Sequence, residues 1–244
     1  MSGNTSATAS LNSKLPGSAP ESLNISSFDI TTPCSGFWQK QDYASKAGAC
    51  CGTIAVDRLT STAGAPVAKH MLNETKRRLH EELGIPDGYA VDGMPPYYDE
   101  VTDLVEIGPN LVGHMQRLRP DAAASWQQMV EAAAADGVRL LIVSGFRDFE
   151  YQAGLIRRKL DAGLLISEIL KVNAAPGYSQ HHTGCAVDIA SPGSRPLTEE
   201  FEESEAFAWL GRRAREFGFS MTYPRDNAYG FVYEPWHWAL NDLI

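Results

Sequence analysis

The stretch Ser-Gln-His-His-Thr-Gly-Cys-Ala-Val-Asp at residues 179–188 decides how this chain of 244 residues reads, together with Glu-Pro-Trp-His-Trp at residues 234–238. The first offers an imidazole at His181 and, seven residues later, a carboxylate at Asp188. The second offers an imidazole at His237 with a carboxylate three residues before it, Glu234. Three nitrogen or oxygen ligands leave one position open on a tetrahedral Zn²⁺, and a catalytic zinc keeps that position for water. Glu234 is then the spare carboxylate, placed to take a proton from that water. Either member of the pair His181 and His182 can bind metal in principle, and the residue pattern alone does not choose between them.

Outward from the first stretch, residues 185–189 read as a strand. Alternation sends Ala186 and Asp188 to one face and Cys185 and Val187 to the other, so Asp188 faces the site and Cys185 the core. Residues 138–143 are a continuous apolar run too short for a helix, as expected of a buried strand, and lead into Ser144-Gly-Phe-Arg147. Before them, Asp121 is expected to cap a helix in which Trp126, Met129, Val130 and Ala133 fall at i, i+3, i+4 and i+7, with Gly137 ending it. Asp148 is expected to cap the next helix, which runs to about Leu160 and turns Tyr151, Leu155 and Ile156 inward. Ser204 starts a third, carrying Phe207, Leu210, Ala214 and Phe217 on one face and stopped by Gly218. Short strands at 219–222 and 230–233 would deliver the Glu-Pro-Trp-His segment. The fold class expected is α+β, helices packed on a small, mainly antiparallel sheet.

The N-terminal part is less informative. Residues 1–27 hold many small polar and few large apolar groups, the composition of a disordered tail. Residues 28–94 form an extension of unknown role with one predicted helix at 66–83, on which Val67, Met71, Leu79 and Leu83 share a face and Gly84 is the stop. The domain that carries the motifs is 95–244. No basic, apolar leader of the Sec type is visible and no run approaches the ~18 apolar residues of a membrane span. The expectation is a protein made soluble in the cytoplasm, with any passage out of it by non-Sec export or at lysis.

A net charge of −9 with no basic run argues against nucleic acid, whose binding depends on clustered Lys and Arg. Oligomeric state is not legible. The four cysteines, Cys34, Cys50, Cys51 and Cys185, have no zinc-finger spacing, and a disulfide from Cys34 to Cys50 or Cys51 stands beside an all-thiol reading. His70, His80 and His114 sit beside no other ligands and read as ordinary imidazoles. An oxyanion formed at a carbonyl needs a fixed positive group, and Arg147, at the end of a buried strand, is the natural candidate.

Taken in order, Ser144-Gly-Phe-Arg147 with Gln152, Ser179-x-His181-x-x-Gly184-x-Ala186-x-Asp188, and Glu234-Pro-Trp-His237 resemble the D-alanyl-D-alanine carboxypeptidase, or VanY-like, group of zinc metallopeptidases. That group shares its fold with the Hedgehog signalling domain and the lysostaphin-type peptidases. The resemblance implies that His181, Asp188 and His237 hold one Zn²⁺ and so places the first ligand at His181. It further implies that Glu234 is the catalytic base and that Arg147 steadies the carbonyl oxygen or tetrahedral intermediate. Ser179 and Gln152 stand where such enzymes contact the substrate peptide, with Tyr233 and Trp236 beside the site. The expected activity is that of a D-alanyl-D-alanine carboxypeptidase, release of a terminal D-alanine from a peptidoglycan stem peptide or muropeptide, with D,D and L,D cleavage both open. An endopeptidase, endolysin or secreted antibacterial effector of the same chemistry, and a catalytically inactive zinc-containing peptide-binding module, are the alternatives.

Overall fold

The computed structural model describes residues 72–91 and 95–241. The expected tail at 1–27, the first part of the extension, His70, Cys34, Cys50 and Cys51 lie outside them.

The long helix α2, Pro120–Ala135, buries Ala122, Ala123, Trp126, Met129 and Ala133, the stripe expected from the sequence. Asp121 is not its cap. Pro120 takes the first helical position, which suits a residue with fixed φ and no N–H, so the cap moves back to Arg119. The Asp121 carboxylate instead receives two bonds of 2.6 Å from the Arg119 guanidinium. Gly137 adopts a positive φ as expected, and the Val138 N–H closes the helix end on Ala133 O at 2.8 Å. That bond takes Val138 out of the sheet, so the strand expected at 138–143 begins later, as β3, Leu141–Ser144.

Preceding α2, β1 (Val105–Pro109) and β2 (Met115–Leu118) form a separate antiparallel hairpin. Following it, β3 pairs with β4 (Ala186–Ala190), β4 with β6 (His237–Leu240) and β6 with β5 (Phe219–Met221), giving a four-stranded antiparallel sheet of order β3-β4-β6-β5. All five residues of β4 and all four of β6 are buried. The mixed fold matches the α+β expectation, with one correction. No strand forms at 230–233; the second imidazole lies on the strand β6. The Asn227 amide turns this segment, donating to Pro224 O and Phe231 O, and Val232 N–H goes to Lys171 O at 2.9 Å. Pro235, with no amide hydrogen, cannot extend a ladder backwards.

Helix α3, Phe149–Asp161, is capped as expected: Asp148 accepts the Tyr151 N–H at 2.7 Å. Its inward stripe is Phe149, Gln152, Ala153 and Ile156, while Tyr151 is 54% exposed and Leu155 half-buried. The expected face was one residue out of phase, about 100° around the helix. A short helix α4, Ile166–Ile169, follows. Ser204 caps α5, Glu205–Arg213, which tightens into a 3₁₀ turn at Ala214–Phe217 before Gly218 reverses the chain.

Two apolar clusters result. The larger joins α2, α5 and the sheet through Trp126, Met129, Cys185, Val187, Trp209 and Trp238. In the smaller, Leu79 of α1 (Glu74–Glu82) and its C-cap Leu83, with Ile85 and Ala90, pack against Ala153, Ile156, Ile169, Ala175 and Tyr178. Asn73 caps α1 and Gly84 ends it with φ +67, so the observed helix is the C-terminal part of the one predicted at 66–83.

Candidate metal centre and active site

Strand register brings the motifs together. Asp188 on β4 is the cross-strand partner of His237 on β6 and, on its other side, of Ser144 at the end of β3. Cross-strand partners hold their Cβ atoms about 4.5–5.5 Å apart, so an acid and an imidazole at matched positions meet without further arrangement. His181 comes from a 3₁₀ turn, Gln180–Thr183, which returns to β4 through Gly184. Here glycine is required twice over: φ is +66, and a Cβ would lie 2.9 Å from Arg119 N and 3.1 Å from Leu104 and Val101. Gly145 is needed too, because a Cβ there would meet Arg117 O at 2.7 Å.

One ligand atom each from His181, Asp188 and His237 lies within 4.8 Å of the others, and all three residues are buried. The His181 Nδ1–H donates to Gly145 O at 2.7 Å, which leaves the lone pair on Nε2. That atom faces Asp188 Oδ2 at 3.3 Å and is a buried polar atom with no hydrogen-bond partner. His237 lies between two acceptors, its Nδ1 3.0 Å from Asp188 Oδ1 and its Nε2 2.9 Å from Gln180 Oε1. The bare Nε2 of His181 and the ring of His237 thus converge on one carboxylate, and acceptors facing each other need a proton or a cation between them. The donor set, two nitrogens and an oxygen, suits Zn²⁺. The residues present fit the metal.

Electrostatics agree. Burial holds the His181 ring neutral, its pKa lowered to about 4, with the Arg147 charge helping. Burial alone would raise Asp188, but His181, His237 and Arg147 together keep it well below the usual carboxylate range, so it is an anion. Glu234 is pushed up to about 8 by burial and then by the negative charge of Asp188. Arg147 places Nη2 3.6 Å from Asp188 Oδ2, with its side chain 15% exposed and its Nε unpartnered. Its backbone N–H donates to His181 O at 3.2 Å.

His182 is accounted for elsewhere. Its Nδ1–H donates to Arg147 O at 2.6 Å and its Nε2 accepts the Gly177 N–H at 3.1 Å. Both ring nitrogens are committed to backbone, and burial depresses its pKa to about 3. His80 is likewise structural, donating to Pro176 O at 2.7 Å, and His114 is exposed.

Each residue expected to contact substrate has an internal partner. Ser179 Oγ accepts the His181 N–H at 3.4 Å, capping the turn. Gln152 is buried and donates to Ala174 O at 2.8 Å, leaving its Oε1 without a partner. The Tyr233 hydroxyl donates to Glu202 at 2.9 Å beneath the Arg225 guanidinium, and Trp236 packs on the larger cluster. Sequence reasoning missed Gln180 and Tyr223; the Tyr223 ring stacks on His237 with centroids 4.6 Å apart. Neither gives a sequence signal, because each acts on a histidine far away in the chain.

A buried His–Asp–His cluster that could hold a metal ion thus lies at one end of a small antiparallel sheet, with a protonatable glutamate and an arginine beside it. The family model described as VanY, D-alanyl-D-alanine carboxypeptidase, matches residues 115–241, just over half of the chain. The chain belongs to the VanY D-alanyl-D-alanine carboxypeptidase family. A Bacillus subtilis strain 168 protein named as a carboxypeptidase, YodJ, is 30% identical over 154 residues, 61% of this chain and 55% of its own. The D-alanyl-D-alanine carboxypeptidase of Enterococcus faecalis strain V583 is 32% identical over 122 residues, 46% of this chain and 44% of its own. The chain therefore spans about half the length of these curated relatives. The solved structure of the LdcB LD-carboxypeptidase superposes with a TM-score of 0.52 at 28% identity, covering 60% of this chain and 70% of that one.

Proposed function

We propose that this protein is a zinc-dependent carboxypeptidase that removes a terminal D-alanine from peptidoglycan stem peptides, with His181, Asp188 and His237 as metal ligands. The observation that carries it is the buried, unpartnered Nε2 of His181 aimed at the Asp188 carboxylate, with His237 on the other side. When bound there, Zn²⁺ supplies a Lewis acid and lowers the pKa of a water ligand to about 7.

The rest is work for the chain's own side chains. Glu234 takes the proton of the attacking water and later gives it to the leaving amine. Burial and the Asp188 charge favour its protonated form over the opposing pull of Arg147, and a divalent cation nearby would favour the carboxylate that a base needs. Arg147 neutralises Asp188 at 3.6 Å and is the positive group nearest the ligands, suited to hold the oxyanion as it forms. The burial of both imidazoles excludes water from the ligand side, which strengthens each of these interactions. Carboxypeptidase naming among the relatives supports the reaction, and the D-alanyl-D-alanine specificity of the Enterococcus relative supports the substrate.

The test is mass spectrometry of muropeptides, mixed tetrapeptide, pentapeptide and cross-linked dimers, incubated with zinc-loaded protein and in parallel with a chelator. Loss of one terminal alanine from pentapeptide, blocked by chelation, is expected. Tetrapeptide trimmed to tripeptide would move the assignment to L,D cleavage, and collapse of dimers to an endopeptidase. No change in any of them, with zinc bound, would overturn the reading. No helix among the described residues is long and apolar enough to cross a membrane.

A further inference from the structure

We infer that Gln180, anchored by Tyr98, is a positioning residue that fixes the tautomer of His237 and so keeps its Nδ1 free for the metal; this rests on the reading of His237 as a ligand. A neutral imidazole carries one proton, and a ring whose two nitrogens both face acceptors has two ways to place it. Against Asp188, the proton would sit on Nδ1 and block the nitrogen nearest the cluster. Against Gln180, it sits on Nε2 and leaves Nδ1 open. Gln180 Oε1 lies 2.9 Å from Nε2, with both side chains almost wholly buried, so the bond is shielded from competing water.

An amide can flip and present its NH₂ instead, which would reverse the preference. What holds it is the far end of the same group. Gln180 also hydrogen-bonds the Tyr98 hydroxyl, and with its Oε1 set 2.9 Å from His237 the amide NH₂ is the group left to reach the phenol. With its NH₂ given to Tyr98, Gln180 has only its oxygen left for His237. Tyr98 is held in turn, its N–H donating to Gly177 O at 2.7 Å, in the loop whose Gly177 N–H supports His182. The stretch at Tyr98 therefore contributes, through Gln180, to the protonation pattern of His237, 57 residues beyond Gln180 in the chain. Groups that orient a metal-bound histidine in this way typically change affinity about 10–100-fold when removed.

The experiment uses the full chain with ¹⁵N-labelled histidine, reading the His237 tautomer by two-bond ¹H–¹⁵N correlation in the metal-free protein and zinc affinity by competition with a chromophoric chelator. Wild type is expected to protonate Nε2. Gln180→Leu is expected to move the proton to Nδ1 and weaken zinc by about 10–100-fold, while Gln180→Glu, which restores an acceptor, returns affinity to within about threefold of wild type. Tyr98→Phe, which spares the packing if Gln180→Leu fails to fold, is expected to lose a smaller part of the affinity and to show both tautomers. Unchanged tautomer and affinity in Gln180→Leu, or in Tyr98→Phe should Gln180→Leu not fold, would overturn the inference. So would a Gln180→Glu protein as weak as Gln180→Leu. Neither readout depends on which peptide bond is cut, so failure of the muropeptide assay leaves this test intact. A wild-type chain that binds no zinc sinks the metal reading, and the metal-free tautomer still decides the role of Gln180.

Discussion

Adjacent histidines in one turn have opposite fates, and the difference is a matter of what each ring nitrogen meets. His181 spends one nitrogen on Gly145 O and leaves the other bare, whereas His182 spends both on backbone. His181→Ala is expected to abolish stoichiometric zinc binding with modest loss of stability. His182→Ala is expected to keep one zinc per chain but cost about 2–4 kcal/mol, because it orphans a buried carbonyl and a buried N–H. Metal analysis beside urea denaturation separates the two, and loss of zinc in His182→Ala would show the ligand assignment to be wrong. Glu234→Ala is expected to retain zinc and lower kcat by at least about 10²–10⁴-fold, read on pentapeptide; a variant that cleaves at the wild-type rate would remove Glu234 from the mechanism. At this scale the sequence was most legible where chemistry is scarce. Two imidazoles and two carboxylates at fixed spacing point to one metal; the register pairs Asp188 with His237, and the turn before β4 brings in His181. Gln180 was illegible because an amide between a serine and a histidine has no preferred reading until its partner, far along the chain, is known.

Elements were legible to the extent that their own residues decide them. The stripe of α2 and the caps Asp148 and Ser204 follow from local periodicity and local hydrogen bonds, whereas α5 buries Ala206, Trp209 and Leu210 and leaves the expected Phe207 and Phe217 partly buried against the larger cluster. The strand expected at 230–233 failed because Asn227 and Lys171 claim that segment's backbone partners, which no local pattern records. Gly184, by contrast, is set by long-range crowding: Arg119, Leu104 and Val101 come from other segments. Gly184→Ala is therefore expected to cost at least about 1–3 kcal/mol in backbone strain, lowering the melting temperature by several degrees, and an unchanged melt would show that the turn relaxes freely. The same reasoning extends to α1, whose Leu79 and Leu83 complete the smaller apolar cluster. A chain begun at residue 95 uncovers Ile156, Ile169 and Tyr178, and at about 1.5–3 kcal/mol per large apolar side chain is expected to lose on the order of 5 kcal/mol. Equal urea midpoints for the truncated and full chains would show that residues 72–91 only lie against the peptidase domain.

For the molecule as a whole, the site makes folding, pH and metal one linked equilibrium. Burial lowers His181 to about 4 and His182 to about 3, so the unfolded chain binds protons that the folded one refuses once the pH falls below 6.5. Stability then rises with pH across that window. Glu234 works the other way: its pKa is raised from 4.5 to about 8, the folded chain holds a proton that the unfolded one has lost, and stability falls as pH climbs between those values. Between 4.5 and 6.5 the two histidines outweigh the one glutamate, and above 6.5 only the glutamate remains in play. The metal-free protein is therefore expected to melt at its highest temperature near pH 6.5 and progressively lower towards pH 8. Zinc reverses the second limb, since a divalent charge favours the Glu234 carboxylate and binds the imidazoles in the neutral form they already hold. At free zinc about 100-fold above its dissociation constant the gain is about 2.7 kcal/mol, or about 5–11 °C for a chain of this size, and it is expected to grow from pH 6.5 to 8. Calorimetric melts of the metal-free and zinc-loaded chain across that range measure it directly. In Glu234→Gln the metal-free decline above pH 6.5 is expected to vanish; a decline that persists would place the titrating group elsewhere.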